Sequence, residues 1–230
     1  MNKSGCLLCG EELVYTKSEV VACALCGKKE ATEATCKKGH YICNACHEKD
    51  ALSIIKEKCM ETTSKNPIEI AQEIMDHVFI HMHGPEHHIL IGSALLSAYK
   101  NAGGDINLEE ALETMRKRGE ACPGGSCGFW GACGAAISSG IFFSIITGTT
   151  PLSTDSWAKG NELTSRNLAA MAKLGGPRCC KRNGFVSMTE TVHFVEEELG
   201  IKMELPEQII CHYYPHNSQC LGKRCPYFPK

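Results

Sequence analysis

Sixteen cysteines in a chain of 230 residues constrain the fold more than any other feature. Seven lie between residues 6 and 46, Cys59 stands alone, and eight follow from Cys122 onward. The N-terminus carries no apolar signal segment, so we expect a cytoplasmic protein. Because a reducing cytosol disfavours disulfides, clustered cysteines there indicate metal or redox chemistry. The separated groups predict two different kinds of metal site.

The overall composition describes a globular protein, with 43% hydrophobic and 22% charged residues. The formal net charge of −2 provides no positive field, so we expect neither nucleic acid nor an acidic membrane as a partner. No apolar run reaches the roughly 20 residues that cross a bilayer. The longest candidate, residues 132–148, contains Ser, Thr and Gly and predicts a buried helix.

Paired metal-ligating residues follow one another through residues 6–46 at the spacing of zinc knuckles. The pairs are Cys6 and Cys9, Cys23 and Cys26, Cys36 and His40, and Cys43 and Cys46. Gly10 and Gly27 follow the first two pairs, and glycine accepts the positive φ that lets backbone amides approach thiolates. Eight ligands suffice for two tetrahedral Zn²⁺ sites. Because the segment has too little apolar sequence for a core, the metals must supply its folding energy.

The order of these pairs resembles the cross-braced RING and PHD type of zinc module. That resemblance implies that the first and third pairs bind one ion and the second and fourth pairs bind the other. Sequential pairing is the alternative, and His47 could replace His40. The histidine favours zinc over an iron–sulfur cluster in this module. The module predicts either a docking surface for a protein or nucleic acid or a purely structural element, and the pattern alone does not indicate ubiquitin ligase activity.

The chain after the module predicts a helical domain. Residues 48–60 have apolar positions at helical spacing and form an exit helix, and a polar linker follows. We therefore divide the chain into a zinc-binding module, residues 1–62, and a helical domain, residues 63–230. The sequence predicts helices over residues 67–82, 85–102, 107–118, 133–147, 156–174 and 177–199. The fold class is mostly α, after a small zinc-binding module with little regular structure, and only residues 201–214 look extended.

Two asparagines mark helix starts in this domain. Asn66 precedes Pro67, which suits the first helical turn. Asn107 precedes two glutamates that favour the first turn of the next helix. Both asparagines are therefore expected to cap their helices.

Three cysteines lie in the glycine-rich stretch EACPGGSCGFWGACG, residues 120–134. They are Cys122, Cys127 and Cys133. Glycines let backbone N–H groups point at anionic sulfur, and a helix N-terminus lowers the pKa of a thiol. These features predict metal ligands, while the alternative for Cys133 is a small core residue in close helix packing.

Adjacent cysteines, Cys179 and Cys180, stand at another Gly-Pro helix start. Vicinal cysteines do not bridge each other comfortably, and neighbouring helical residues point about 100° apart, so one ligates while the other packs. Arg178, Lys181 and Arg182 make the surroundings electropositive. They favour thiolate and offer an anchor for a substrate carboxylate, or else form a solvated basic helix end.

The segment HMHGPEHH places His81, His83, His87 and His88 within eight positions. They are candidate metal ligands, or a general base with Glu86 beside it. Three more cysteines, Cys211, Cys220 and Cys225, lie near the C-terminus, where Cys-Pro is a common cluster-ligand context. These three form a small metal loop of their own or complete the central site.

Two segments of the helical domain resemble a family of unknown function, numbered 5714 among such families. They are GGSCGFWGACGAAISSGIFFSIITGTTP, residues 124–151, and GPRCCKRNGF, residues 176–185. The resemblance covers residues 65–230 and implies no established activity. Some members are labelled methyltransferases, but this chain has no glycine-rich methyltransferase fingerprint after a strand.

The same segments also resemble the α-domains of bacterial L-serine dehydratase and L-cysteine desulfidase. Those helical domains carry Gly-Cys-Gln-Gly-Glu-Val-Gly-x-Ala-Cys and, later, Pro-Cys-Ile-Glu-Arg-Asn. The resemblance implies a [4Fe–4S] cluster on three cysteines with one open iron, held by Cys127 and by Cys179 or Cys180. The intervening Thr-Cys-Asp-Pro ligand segment is missing here, so the third ligand is Cys122, Cys133 or a cysteine near the C-terminus.

The leading hypothesis from these observations is an iron–sulfur enzyme that acts on a small anionic substrate. The expected reaction is an elimination, as in a lyase or desulfidase, or a sulfur transfer. The general base is expected among His83, His87 and His88, and the anion anchor among Arg178, Lys181 and Arg182. The alternative is a zinc-only interaction or regulatory adaptor without activity. A third hypothesis is a corrinoid or haem protein with histidine axial ligands. Residues 141–146 fit either the core or a homodimer seam.

Overall fold

The computed structural model describes residues 5–230, and the side chains of all of these except residues 48–50. Residues 1–4 of the expected module lie outside the described residues. The module is built on one antiparallel hairpin of strands β1 (Leu13–Ala22) and β2 (Lys29–Cys36), with Leu13 opposite Cys36. Val, Tyr and Thr make these segments suitable strands. Sequence analysis did not predict them, because neither strand shows a regular alternation of buried and exposed positions.

Eight α-helices follow within the described residues. They are α1 Asn44–Glu61, α2 Pro67–Met75, α3 Glu86–Asn101, α4 Leu108–Glu120, α5 Ser126–Phe129, α6 Gly134–Ile146, α7 Asp155–Leu174 and α8 Cys180–Leu199. Two single-turn 3₁₀ helices lie in the tail, which we define as residues 201–230. This composition confirms the predicted fold class. None of the helices in the described part combines the length and apolar character that crossing a membrane requires.

Helix α3 is the centre of the domain. Every residue from Glu86 to Tyr99 is buried, because apolar and small residues surround the whole helix. Helices α1, α2, α4 and α6 pack against it, while α7 and α8 pack against α6. Helix α1 contributes Ala51, Ile55 and Cys59 to the same core. The expected division at residue 62 falls in the linker after α1, and α1 itself joins the module to the helical core.

Two helices differ in extent from the sequence expectation. Helix α2 ends at Met75 rather than Met82, since the next segment buries Ile80 and Met82 while the residues between and after them are less buried, an alternation that an extended chain provides. Helix α8 begins at Cys180 rather than residue 177, because the Cys179 sulfur accepts the amide of Arg182 at 3.4 Å and caps the helix. In the tail, residues 201–213 form no strand within the described chain.

Both asparagine caps are confirmed. Asn66 Oδ1 accepts hydrogen bonds from the amides of Ile68 (3.0 Å) and Glu69 (3.4 Å). Asn107 Oδ1 accepts one from the amide of Glu110 at 3.3 Å.

Replacing Asn66 with alanine is expected to lower the free energy of unfolding by about 1 kcal/mol, because two helix-end amides lose their acceptor. Urea unfolding followed by circular dichroism measures this loss. Asn161→Ala is the control, since its side chain only donates to Trp157 O on the exposed face of α7. We expect that variant to change the free energy by less than about 0.5 kcal/mol. Equal losses in both variants would contradict the capping role.

Candidate functional site

The structure gathers the eight ligands of the module into two clusters. Within each cluster, one ligand atom from every residue lies within 4.8 Å of the others. The first consists of Cys6, Cys9, Cys36 and His40, and the second of Cys23, Cys26, Cys43 and Cys46. First and third pairs therefore meet, as do second and fourth, which is the cross-braced order. The hairpin explains it, since β1 leads from pair one to pair two and β2 leads back to pair three.

Backbone amides surround these sulfurs. Gly10 and Gly27 have φ of 72° and 75°, the positive values expected for knuckle turns. The amides of His40 and Cys43 donate to Cys36 and Cys23, each at 3.3 Å. Burial raises the pKa of Cys23, but the neighbouring amides outweigh it and lower the pKa to about 6. Both clusters are thus able to hold a metal ion, and His40 rather than His47 lies within the first.

A cavity of about 430 Å³ lies where the module meets the helical domain. One wall carries Cys127, Cys180 and Arg178. Aromatic rings form another part of the lining, with Tyr15 and Phe129 edge to face at 6.0 Å. The Arg178 guanidinium lies 5.6 Å from the centre of the Tyr15 ring. Sequence analysis did not identify Tyr15 as a lining residue, because it comes from the module and reaches the cavity only through tertiary packing.

Two cysteines of this wall, Cys127 and Cys180, lie close to a third, Cys133, and the three come from three helix starts. Cys133 directly precedes α6, Cys180 opens α8, and Cys127 lies on the single turn of α5. Their charges interact. Burial is the main reason that the pKa values of Cys127 and Cys180 are raised, and the charge of Cys133 raises both further. Cys122 lies nearby, with its sulfur 3.5 Å from the Ser126 hydroxyl.

Each of the three converging sulfurs receives an N–H group. Asn183 Nδ2 donates to Cys133 at 3.3 Å. The amide of Gly128 faces Cys127, and that of Gly84 faces Cys180. The expectation that helix starts and basic residues lower the thiol pKa is nevertheless wrong for Cys127 and Cys180, since burial raises the pKa of both. Burial raises the pKa of Cys180 to about 12, although Arg178 acts in the opposite direction.

The histidines of the HMHGPEHH segment divide between the cavity and the core. His83 and His88 line the cavity. His83 Nε2 donates to Asn217 Oδ1 at 3.2 Å, and His88 Nδ1 donates to the carbonyl of Cys122 at 2.9 Å. Burial lowers the pKa of His83 to about 4 and that of His88 below its usual value, so both are neutral near pH 7. His87 is buried instead against Lys181, with Nε2 and Nζ 3.0 Å apart.

The basic residues around the vicinal cysteines also separate. Arg178 faces the cavity, where Gln219 Oε1 accepts from its Nε at 3.4 Å. Lys181 is buried, and Nζ also donates to His81 O at 3.0 Å. Arg182 points the other way, toward the tail. Among the described residues, Arg178 is therefore the cationic side chain that lines the cavity.

A second, smaller cavity of about 20 Å³ lies under the tail and has four cysteines in its lining. They are Cys179, Cys211, Cys220 and Cys225. The amide of Gly222 donates to the Cys220 sulfur at 3.3 Å, and Asn217 Nδ2 lies 3.6 Å from that of Cys179. Cys179 and Cys180 thus serve different cavities, as their positions on a helix start require.

Arg182 is buried beside these four cysteines, with only 4% of its surface exposed. Its guanidinium donates to Asn183 Oδ1 at 3.1 Å and to the carbonyls of Gly175 and Pro177 at 3.0 Å each. All of these acceptors are neutral, and within the described chain no carboxylate pairs with it. A buried cation without an anionic partner is costly, so the small cavity favours an anionic occupant.

Comparison with known proteins gives one match. The model of a family of unknown function, DUF5714, matches residues 55–228. No curated protein and no solved structure matches the chain. The matched region contains the cysteines described at both cavities. It does not contain the two ligand clusters of the module. The likeness to the serine dehydratase α-domain stays a prediction.

Proposed function

Because the chain belongs to DUF5714, a family of unknown function, membership assigns no chemistry, and we propose a function from the cavity. The protein is an iron–sulfur enzyme that acts on a small anionic substrate by elimination or sulfur transfer. The observation that carries this proposal is the proximity of three cysteines at a cavity of about 430 Å³: Cys127 and Cys180 line it, and Cys133 lies close to both.

The spacing of the three thiols supports a cluster rather than a single ion. Among the described residues they belong to no ligand group within the 4.8 Å spacing that joins the module ligands. A four-iron cluster is wider than one ion, so its thiolates stand further apart, and three of them leave one iron open. The N–H groups at each sulfur are the kind that surround such clusters. Cys133 is therefore the third ligand in this proposal, and the Cys122 sulfur contacts the Ser126 hydroxyl instead.

The remaining cavity residues suit an anionic substrate. Arg178 forms no ion pair with a carboxylate among the described residues, so its guanidinium is available to an anion. His83 donates from Nε2, which leaves the lone pair on Nδ1, a buried atom without a hydrogen-bond partner within the described chain. His83 is thus the proposed acceptor of a substrate proton, with His88 as the second candidate. When bound, the cluster would supply a Lewis-acidic iron for the leaving hydroxyl or sulfide group.

We propose a second metal centre at the small cavity under the tail. Cys179 joins Cys211, Cys220 and Cys225 as a complete four-cysteine set, and the buried charge of Arg182 balances the anionic centre. Four protein thiolates leave no open position, so this centre stabilises the tail rather than binding substrate.

A zinc-dependent docking role for the module is the second candidate function. Leu7, Leu8 and Leu25 occupy the two knuckle loops and expose 37%, 46% and 56% of their surfaces. Exposed apolar side chains on rigid metal-bound turns favour a protein partner. In this proposal each module cluster holds Zn²⁺, and the chain acts as an adaptor.

Anaerobic purification followed by iron, sulfide and zinc analysis distinguishes the two functions. We expect visible iron–sulfur absorption in the full chain and a loss of about four iron atoms per chain on Cys127→Ser. Cys59→Ser is the matched control, because Cys59 is a core cysteine outside every cluster described above. A colourless wild-type protein that contains zinc alone would contradict the enzyme and support the adaptor.

A further inference from the structure

Two histidines and a glutamate that the proposed enzyme does not use converge beside the cavity. His47 comes from α1, His81 from the segment before α3, and Glu86 from the first position of α3. One ligand atom from each lies within 4.8 Å of the others. His47 Nδ1 is 3.1 Å from Glu86 Oε2, and His81 Nδ1 is 3.4 Å from Oε1. Three distant parts of the chain therefore meet at one point.

The carboxylate of Glu86 is fully buried. A buried carboxylate needs a compensating positive charge. Lys181 forms no ion pair with it, since Nζ donates to His81 O and His87 Nε2 instead. Within the described chain, Glu86 Oε2 and His81 Nδ1 make no hydrogen bond of good geometry.

The backbone fixes the Glu86 carboxylate and leaves room for the two histidine rings beside it. The amide of His81 donates to Glu86 Oε1 at 3.1 Å, which fixes the carboxylate and leaves Oε2 toward His47. Gly84 lies beside them, and a Cβ at this position would overlap both the carboxylate and the His47 ring. The two imidazoles meet edge to face with centroids 4.4 Å apart. Glycine is thus the residue that lets the three ligands approach one another.

We propose that His47, His81 and Glu86 bind one divalent transition metal ion, Zn²⁺ or Fe²⁺, separate from the cysteine centres. Two imidazoles and one carboxylate are the donor set of metal sites that keep open positions for substrate or water. Both histidines line the larger cavity, so the open positions face it. The ion also compensates the buried charge of Glu86. This site stands whether or not the cysteines of the same cavity hold a cluster.

Metal analysis of the full chain loaded with Zn²⁺ tests the proposal. After removal of excess ion, we expect Glu86→Gln and His81→Ala each to bind one zinc ion fewer per chain than wild type. His212→Ala is the control, since His212 is exposed and pairs with Asp76 at a distance of 2.7 Å. The Cys127→Ser variant should retain this ion, which separates it from the proposed cluster. Unchanged zinc content in both ligand variants would overturn the proposal.

A second measurement needs no variant, and so does not depend on how Glu86 substitutions fold. Crystals of the wild-type chain grown with Zn²⁺ are expected to give an anomalous difference peak between His47, His81 and Glu86, in addition to peaks at the module clusters. Peaks at the cysteine clusters with none at this position would overturn the proposal. Gly84→Ala should remove the peak as well, because its methyl group occupies the approach of the ligands.

Discussion

Removing the metal ions from the N-terminal module is expected to unfold residues 6–46 while the helices from α2 onward keep their structure. The buried apolar residues of this segment are Cys6, Cys23, Cys36 and Cys43, all of them cluster ligands. The hairpin otherwise exposes most of its side chains. Metal binding in such small modules contributes on the order of 10 kcal/mol to folding. Burial of the little apolar surface of this segment contributes far less.

Amide NMR spectra before and after chelation measure this effect. The amide resonances of β1 and β2 should shift to random-coil values, while those of α3 and α6 should stay dispersed. Cys36→Ser should cause the same loss at its own cluster, whereas Cys59→Ala, which changes a core cysteine, should leave the metal content of the module intact. Dispersed hairpin resonances in metal-free protein would show that the module folds without its ions.

Two single substitutions at adjacent positions are expected to remove different metal centres. Cys180→Ser should abolish the centre at the larger cavity, because Cys180 faces Cys133 and Arg178. Cys179→Ser should spare that centre and remove the metal of the small cavity, whose lining contains Cys179 with the tail cysteines. Either substitution changes one sulfur to oxygen, so the pair is closely matched in size and position.

Iron and zinc content, together with visible absorption of the anaerobic proteins, report which centre is lost. Proteolysis provides a second readout, because only Cys179→Ser should make residues 201–230 sensitive to cleavage. Loss of the same metal from both variants would mean that the two cysteines serve one centre. Normal metal content in both would contradict both proposed centres.

The module could be predicted closely because its information is local. Each ligand pair lies within five residues, and the glycines that follow the first two pairs adopt the positive φ that knuckles require. The resemblance to cross-braced modules then correctly indicated which pairs meet. The caps at Asn66 and Asn107 were equally local, since each side chain bonds amides two or three residues away.

The cavities depend on contacts that no local pattern contains. His47 follows a module ligand in sequence, yet its ring meets Glu86 only because α1 packs on the helical core. Four histidines in one short segment suggested a single site, but the extended turn before α3 sends His83 to the cavity and leaves His87 in the core. The thiol pKa values went against expectation for the same reason, since burial depends on the whole fold.

Because helix α3 belongs to both the cavity and the core, ligand binding is expected to raise the melting temperature of the whole domain. The first turn of α3 carries His88, which lines the cavity, and the helix is buried from Glu86 to Tyr99. Occupancy of the cavity therefore adds to global stability by mass action, about 2.7 kcal/mol at a ligand concentration one hundred times Kd. Thermal-shift screening of small carboxylates, thiols and sulfonates against the anaerobic protein can consequently search for the substrate without any assay of turnover.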